Sequence, residues 1–313
     1  MIYTVTLNPA VDRELTVPEI VFDSVLRATV WQVDFGGKGF NVSRMLLALG
    51  MESVALAFAG GKSGELLHDG LRSLGIGTDF IWVEGETRTN VSVVSEAHDH
   101  YIKVNEPGPT VGTQAQDALV GRVRDLAQEG DWWVLAGSLP PGVAPEFYAS
   151  LTEAIQRSGA RAVLDSSGAA LEAGCRAKPS LIKPNDVELG QLTGMPTETV
   201  AETVTAAQTL EEKGLPRAIV SMGKAGALVV EDGESWLLSP PVIQERNPIG
   251  AGDSLVAGVV YALAQGESLR EAARWGVACG AATASMSGTA VGSAELVNAL
   301  LVDVKVRPVT VDG

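Results

Sequence analysis

The sequence predicts an α/β fold in which a mostly parallel central sheet carries helices on both faces, with a smaller β layer beside it. Two observations lead to this prediction. Short apolar, β-branched runs alternate with segments of helical periodicity along most of the 313 residues, which is typical of strand–helix–strand units. Two other stretches, at about 12–34 and 87–104, have strand character with no helix between their strands.

The segments assigned to the central sheet are short, apolar and mostly bounded by glycine, proline, asparagine or aspartate. They are residues 2–8, 53–59, 132–137, 161–165, 180–185 and 217–221, with a hairpin at 226–238. The intervening segments place apolar residues at helical spacing. They are residues 38–49, 64–74, 114–128, 145–157, 186–193, 199–213 and 269–285, with a further helix beginning near Gly250.

The composition excludes several classes of protein. A formal net charge of −15 repels nucleic acid and anionic membranes, so an anionic substrate must be held by local cations. Cys175 and Cys279 have no CxxC spacing and indicate neither a disulfide framework nor a zinc site. The first residues do not resemble a secretory signal, and no segment reaches the ~18 apolar residues of a membrane span. We therefore expect a cytoplasmic protein that binds neither nucleic acid nor membrane.

Residues 247–254, NPIGAGDS, place glycines immediately before a long apolar helix. Gly250 and Gly252 are unfavourable in a first helical turn, which indicates a need for bare backbone. The successive N–H groups of Gly250, Ala251 and Gly252 would form an anion site there, and Asp253 could reach an incoming hydroxyl. The alternative interpretation is a glycine turn followed by an acid that the helix dipole favours.

A second glycine cluster, FGGKGFN at 35–41, opens the helix at 38–49. Its glycines allow a ligand to approach the backbone, Lys38 supplies a charge, and Asn41 can both donate and accept hydrogen bonds. This combination suits a phosphorylated polyol, whereas the alternative is a glycine turn beside a solvated lysine. GGKS at 60–63 lacks the earlier glycine of a P-loop, and no G-x-G-x-x-G follows the first strand. NAD is therefore not expected as a cofactor.

Six motifs occur in one order along the chain: TLNPAVD, GGKGFN, GSLPPG, KPND.E, SMGKAG and NPIGAGDS. In this order they resemble the ribokinase-like (PfkB) carbohydrate kinases, and within them the branch that phosphorylates hexose phosphates. The resemblance covers essentially all of residues 1–313. It implies one domain with a three-layer ribokinase-like fold and a discontinuous β lid from about 12–34 and 87–104. It also implies a homodimer, because the lids of relatives often pair between subunits.

The resemblance implies that ATP donates a phosphoryl group to a sugar phosphate. Gly250, Ala251 and Gly252 would stabilise charge on that group, and Asp253 would be the general base. Residues lining the sugar site would be Asp12, Gly36, Gly37, Lys38, Asn41, Asn90 and Ser138. Residues holding the sugar's own phosphate would be Arg27 and Arg88, together with Lys103, for which a solvated lid charge is the alternative.

The resemblance also assigns the nucleotide side. Residues bordering the nucleotide would be Lys183, Asn185, Ser221, Gly223 and Gly226, with 278–285 as a candidate wall for the base. Asn185 and Glu188 would organise Mg²⁺ through water, because magnesium dehydrates reluctantly.

Three sugar phosphates remain open as the acceptor. Lys38 in GGKG resembles the branches acting on fructose 1-phosphate and tagatose 6-phosphate more than the branch acting on fructose 6-phosphate. TRTNVSV at 87–93 resembles the T-R-x-N-V of the fructose 1-phosphate branch, which we favour. A non-catalytic sugar-phosphate sensor with this fold is the alternative from another class. The intact Asp253 and Glu188 argue against it.

Overall fold

A computed structural model describes residues 1–98 and 100–309 of the chain and contains two β-sheets. In chain order the strands are β1 (Ile2–Thr6), β2 (Ala10–Val17), β3 (Val30–Gly36), β4 (Val54–Ala59), β5 (Gly77–Trp82), β6 (Arg88–Ser95), β7 (Tyr101–Asn105), β8 (Trp132–Ala136), β9 (Arg161–Asp165), β10 (Leu181–Ile182), β11 (Arg217–Ser221), β12 (Ala227–Glu231), β13 (Glu234–Ser239) and β14 (Lys305–Pro308). The helices are α1 (Lys38–Ala48), α2 (Gly61–Ser73), α3 (Thr113–Leu126), α4 (Phe147–Gln156), α5 (Gly168–Cys175), α6 (Asp186–Thr193), α7 (Val200–Glu212), α8 (Ala251–Ala264), α9 (Leu269–Ala284) and α10 (Ala294–Leu301). A single 3₁₀ turn covers Gly223–Ala225.

The larger sheet has ten strands in the order β14-β13-β12-β11-β10-β9-β8-β1-β4-β5. From β5 to β11 all neighbours are parallel, and β12, β13 and β14 extend the sheet antiparallel at one edge. The second sheet, called the small sheet below, has the order β3-β2-β6-β7. The predicted α/β architecture with a separate β layer is confirmed.

Two large hydrophobic cores cover the two faces of the larger sheet, and a third, smaller cluster packs α2 against β4 and β5. Buried side chains of α3 to α7 pack on one face, around Trp133 and Leu164. Buried side chains of α1, α8, α9 and α10 pack on the other, around Val134 and Ile219. Strands buried on both faces explain the continuous apolar runs in the sequence. None of the helices within the described residues combines the length and apolarity needed to cross a membrane.

Several element bounds differ from the predictions. The strand predicted at 180–185 is regular only over Leu181–Ile182. Pro184 has no N–H to donate, but its carbonyl still accepts from the Ser221 N–H at 3.0 Å, and Asn185 forms an isolated parallel bridge with Ser221. Strand character is predicted over about 12–34, but residues 18–29 lie outside both sheets and β3 begins only at Val30. Four elements were not predicted, namely β5, α5, α10 and β14. Of these, β5 and β14 are edge strands, which show little of the apolar pattern of the centre.

Candidate active site

The first turn of α8 contains the glycines that the sequence singled out. Gly250 has φ of 79°, in the left-handed region that favours glycine, and immediately precedes the helix. The N–H of Ala251 donates to the Pro248 carbonyl at 3.2 Å. Within the described residues, the N–H groups of Gly250 and Gly252 donate to no protein acceptor. Two of the three amides of the predicted anion site are therefore available to a ligand.

Asp253 lies in the same turn and is only 7% exposed. Its Oδ2 accepts a hydrogen bond of 2.8 Å from the Asn41 amide. Burial, with a further contribution from the negative charge of Asp165, raises the pKa of Asp253 to about 6. The Asn41 hydrogen bond and the charges of Lys38 and Lys183 oppose this shift. A carboxylate with a pKa near 6 is a stronger base than an ordinary aspartate and is still mostly ionised at neutral pH.

A buried ion cluster lies beside Asp253. Asp165 ends β9 and is 1% exposed, and its Oδ1 is 3.1 Å from Lys38 Nζ and 3.3 Å from Lys183 Nζ. Lys183 is also buried, whereas the Lys38 side chain is 39% exposed. Burial alone would lower the pKa of Lys38, but the carboxylates of Asp165 and Asp253 outweigh it and the pKa is raised. Lys38 is therefore cationic at the carboxyl edge of the sheet, where the parallel strands end.

Asp12 and Asn90 meet in the small sheet, as the sugar-site prediction requires. They are register partners on β2 and β6, and Asn90 Nδ2 donates to Asp12 Oδ1 at 2.7 Å. Gly36 makes room for this carboxylate, since a Cβ there would overlap Asp12 Oδ2. Burial raises the pKa of Asp12, against the lowering effects of the Asn90 hydrogen bond and the nearby charges of Lys103 and Arg88.

The cations predicted to hold the sugar's phosphate lie in different settings. Arg88 donates to the backbone carbonyls of Asn8, Pro9 and Glu106, so three of its five N–H groups are engaged. Arg27 lies in the exposed segment between β2 and β3 and has no ion pair or hydrogen bond with a described residue. Ser138 is exposed and follows Gly137, where an added Cβ would lie 3.9 Å from Lys38 Cβ.

Two cavities meet the amino-terminal end of α8. The smaller, about 40 Å³, is lined by side chains from the small sheet, α1 and the segment before α8. It contains the predicted residues Asp12, Gly36, Asn41 and Gly250, and adds Asp34, Arg44, Thr283 and Thr289. This volume suits a few water molecules and is smaller than a sugar phosphate needs. Thr283 falls in the stretch 278–285 predicted as a wall for the base but lines the smaller cavity, and the other three residues belong to no motif that the sequence analysis recognised.

The larger cavity is a cleft of about 790 Å³ on the other side of the same turn. It is lined by Ser221, Gly223 and Gly226, which the sequence analysis assigns to the nucleotide, and by Ala251 and Gly252 of the predicted anion site. Gly280, Ala281 and Ala284 of α9 also line it, within the predicted wall at 278–285. The size and mostly apolar lining suit a nucleotide base with its sugar. The first turn of α8 thus separates two cavities and faces both.

Asn185 and Glu188 form the start of α6. The Asn185 side chain accepts from the Glu188 N–H at 2.7 Å, and Glu188 Oε2 accepts from the Asn185 N–H at 2.8 Å, which is a capping box. One carboxylate oxygen of Glu188 is left for another partner. Magnesium is commonly held by one or two carboxylates, water and substrate phosphates, so this donor set fits it. Among the described residues there is no cluster of three or more His, Cys, Asp or Glu side chains that could bind a metal alone.

Asp165 is the central residue that the sequence analysis missed. It stands in DSSGAAL, a segment that contributed nothing to the predicted site. The sequence did contain a signal for it, since Asp165 is an acid at the end of a continuous apolar strand. Ligands of parallel sheets bind at the carboxyl ends of the strands, so an acid there is a candidate site residue. Its partner Lys38 is 127 residues away along the chain, so spacing alone could not join them.

The sequence family described as pfkB family carbohydrate kinase matches residues 5–295. A protein from Bacillus subtilis named 1-phosphofructokinase is 39% identical over 306 residues, covering 98% of this chain and 99% of that protein. The crystal structure of phosphofructokinase-2 from Escherichia coli in complex with potassium superposes with a TM-score of 0.92 at 33% identity, covering 96% and 98% of the two chains. The structure of Arabidopsis thaliana ribokinase with ribose and ATP, 21% identical, shares the fold with a TM-score of 0.78 over 96% and 98%.

The chain belongs to the PfkB family of carbohydrate kinases, and its fold is ribokinase-like. The resemblance seen in the six ordered motifs is thereby confirmed. It is a phosphotransferase that uses ATP.

Proposed function

We propose that this chain transfers the terminal phosphoryl group of ATP to the 6-hydroxyl of fructose 1-phosphate, giving fructose 1,6-bisphosphate. The observation that carries the proposal is the buried Asp253 beside the free amides of Gly250 and Gly252, in a turn that faces both cavities. A base and an anion site within one helical turn place the acceptor hydroxyl and the transferring group next to each other.

In the proposed reaction the 6-hydroxyl oxygen forms a bond to the γ-phosphorus as the bond to the β,γ-bridging oxygen breaks and ADP leaves. Asp253 accepts the hydroxyl proton, and the Asn41 amide holds the carboxylate in place. The amides of Gly250 and Gly252, with Ala251 between them, stabilise charge on the transferring group. Lys38, from the sugar side, and Lys183, from the nucleotide side, supply positive charge to phosphoryl oxygens.

Mg²⁺ is proposed as the metal that accompanies ATP, held by Glu188 and Asn185 through water. When bound, it neutralises charge on the nucleotide phosphates. The capping box orients Glu188 for this role, because one oxygen is fixed by the Asn185 N–H. Ser221, Gly223 and Gly226 are proposed to border the nucleotide in the large cleft.

The choice of sugar is proposed from the small sheet. Asp12 and Asn90 would hydrogen-bond to sugar hydroxyls, and Gly36, Gly37 and Ser138 would line the same space. Lys103 and the remaining donors of Arg88 are near Asp12 and would attract the sugar's phosphate, with Arg27 closing from the exposed segment. The B. subtilis relative named for fructose 1-phosphate chemistry supports this choice over tagatose 6-phosphate.

We further propose that the small sheet is a lid that also pairs two subunits in a homodimer. Exposed apolar side chains concentrate on this sheet and on the segment 18–29. They include Phe22 at 79%, Val25 at 83%, Trp31 at 71% and Tyr101 at 70% exposed. An apolar surface of this kind is typical of an interface. The two buried free thiols, Cys175 and Cys279, agree with the cytoplasm as its compartment.

The deciding experiment measures ADP release with fructose 1-phosphate, tagatose 6-phosphate, fructose 6-phosphate and fructose. We expect kcat/KM for fructose 1-phosphate to exceed each of the others by about tenfold or more. A higher value for tagatose 6-phosphate or fructose 6-phosphate would reassign the substrate. Sugar-phosphate binding without any sugar-stimulated turnover would instead make the chain a sensor.

A further inference from the structure

Asp165 is the most deeply buried acid of the site, and its side chain contacts two cations that belong to different sides of the reaction. Lys38 begins α1, one turn before Asn41, which lines the smaller cavity. Lys183 follows β10, and its Nζ lies 4.0 Å from where a Cβ of Gly252 would stand. Both ammonium groups contact the same atom, Oδ1 of Asp165.

We propose that Asp165 is a positioning residue that holds Lys38 and Lys183 together beside the first turn of α8, where both can contact the transferring phosphoryl group. The proposal deepens the kinase function above and rests on it. Asp165 does not touch the reacting atoms in this role. It acts by holding the long Lys38 side chain, which would otherwise be free to extend into water, beside the buried Lys183.

The charges support this role. One carboxylate shared by two lysines prevents two unopposed cations in a buried site. Once Asp253 accepts the hydroxyl proton, the two lysines leave an excess of positive charge for a phosphate. Lys38 is partly exposed, so without Asp165 its flexible side chain would gain more by extending into water. Lys183 is buried and cannot do so, and it would remain as an unneutralised charge.

The isosteric Asp165→Asn variant separates positioning from simple binding. We expect kcat to fall about 100-fold, while KM for ATP stays within about threefold or decreases, because unneutralised lysines attract ground-state phosphate but are no longer aligned. Turnover is measured with whichever sugar phosphate the unmodified enzyme uses. A wrong substrate assignment would therefore overturn the proposed function and leave this test intact.

Asp131→Asn is the matched control. Asp131 is also a buried acid with a cationic partner, the Met1 ammonium group at 2.9 Å, but it lies at the other edge of the sheet. The control should keep the kcat and KM of the unmodified enzyme. A kcat for Asp165→Asn within threefold of the unmodified enzyme would overturn the proposal.

A double-mutant cycle with Lys38→Met tests whether Asp165 acts through the lysines. Adding Asp165→Asn to Lys38→Met should lower kcat much less than it does in the unmodified enzyme. Losses in kcat that multiply fully in the double mutant would overturn the shared role.

A second pair of variants serves if Asp165→Asn does not fold. Lys38→Met leaves the Asp165–Lys183 pair intact, and Lys38→Arg keeps a cation that Asp165 can hold. We expect kcat to be higher for Lys38→Arg than for Lys38→Met. Equal activity of these two variants would contradict the proposal.

Calorimetry with inorganic phosphate gives a readout that does not depend on turnover. Phosphate should bind to Asp165→Asn about tenfold more tightly than to the unmodified enzyme, because it replaces the missing carboxylate between the two lysines. Unchanged phosphate affinity would show that the lysines are not held for a phosphate.

Discussion

Two buried carboxylates lie near opposite ends of the parallel strands of the ten-stranded sheet, with the same exposure and different surroundings. The side of the sheet where the parallel strands begin is called the amino edge, and the side where they end is called the carboxyl edge. Asp131 precedes β8 at the amino edge, is 7% exposed, and accepts from the Met1 ammonium group at 2.9 Å and the Gln128 N–H at 3.0 Å. Asp253, also 7% exposed, is beside the carboxyl edge and accepts one hydrogen bond from a side chain within the described part of the chain, that of Asn41. The cost of burying a charged carboxylate is therefore offset at Asp131 by a cation and a backbone N–H, and only partly offset at Asp253.

The physical consequence at the carboxyl edge is a charge that destabilises the folded state. With a pKa of about 6 instead of the usual 3.8, Asp253 binds a proton more readily when folded than when unfolded. The folded state loses stability as pH rises from about 4 through about 6, by on the order of 2–3 kcal/mol once the group is ionised. Such a cost is typical of functional sites, where reactivity is gained at the expense of stability.

The largest expected effect comes from Asp253→Asn. Removing the base should lower kcat by about 1,000-fold or more, with little change in KM for the sugar. Removing a buried charge should at the same time raise Tm at pH 8 by a few degrees. Steady-state kinetics and thermal unfolding on the same preparation measure both.

Asp131→Asn is again the control, because it makes the same chemical change at the amino edge. It should leave kcat unchanged and should not raise Tm, since it removes a paired carboxylate. An Asp253→Asn variant that keeps its activity, or one that loses activity only because it unfolds, would contradict the difference between the edges.

The second prediction concerns the single hydrogen bond that Asp253 receives. Asn41→Ala removes a group that lowers the pKa of Asp253, so this pKa should rise above about 6. Because the base must be ionised, kcat/KM of the unmodified enzyme falls as pH decreases through about 6. In the variant the fall should begin at higher pH, with a loss at pH 7 of roughly two- to tenfold if the pKa rises by about one to two units.

Asn90→Ala provides the comparison for Asn41→Ala. Asn90 makes an equivalent hydrogen bond to Asp12. Loss of this bond should raise KM for the sugar and leave unchanged the pH at which kcat/KM falls on the acidic side of the profile, called the acidic limb. Substrate phosphates ionise in the same pH range, so the diagnostic quantity is the shift between the two variants. An identical acidic limb for both would show that Asn41 does not tune the base.

The local parts of this site were predictable from the sequence and the distant pairings were not. Gly250 and Asp253 are adjacent in one helical turn, so their combination follows from helix geometry. The same is true of Asn185 and Glu188, whose capping box spans three residues. Asp165 instead joins Lys38 across 127 residues, and its role is visible only when the strands are assembled.

The strands of the fold also differ in how well the sequence predicts them. Central strands such as β8 are buried along their whole length and are recognisable from composition alone. The edge strand β5 is paired on one side and partly exposed, so its sequence GTDFIW lacks a continuous apolar run. Arg88 gives a similar lesson for charges, because its sequence context indicates a phosphate ligand but cannot reveal three backbone carbonyls around its guanidinium.

A smaller effect is expected from Glu188→Gln. Glutamine keeps the capping box, so Tm should stay within about one degree. The lost charge should raise the Mg²⁺ concentration for half-maximal activity by roughly three- to tenfold. Glu202→Gln is a matched control, because Thr199 and Glu202 form the same capping box at the start of α7. An equal Mg²⁺ requirement in both variants would remove Glu188 from the metal site.

The smallest effect belongs to the amino edge. Asp79 on β5 pairs with Arg122 on α3 at 2.6 Å, with 26% and 42% of their side chains exposed. Because water already solvates both groups, Asp79→Asn should cost under about 1 kcal/mol of unfolding free energy, and the difference should shrink at 1 M salt. Denaturant unfolding at two salt concentrations measures it, with kcat expected to remain that of the unmodified enzyme. A change in kcat would mean that charge at this edge is felt at Asp253, and the two edges would then not be independent.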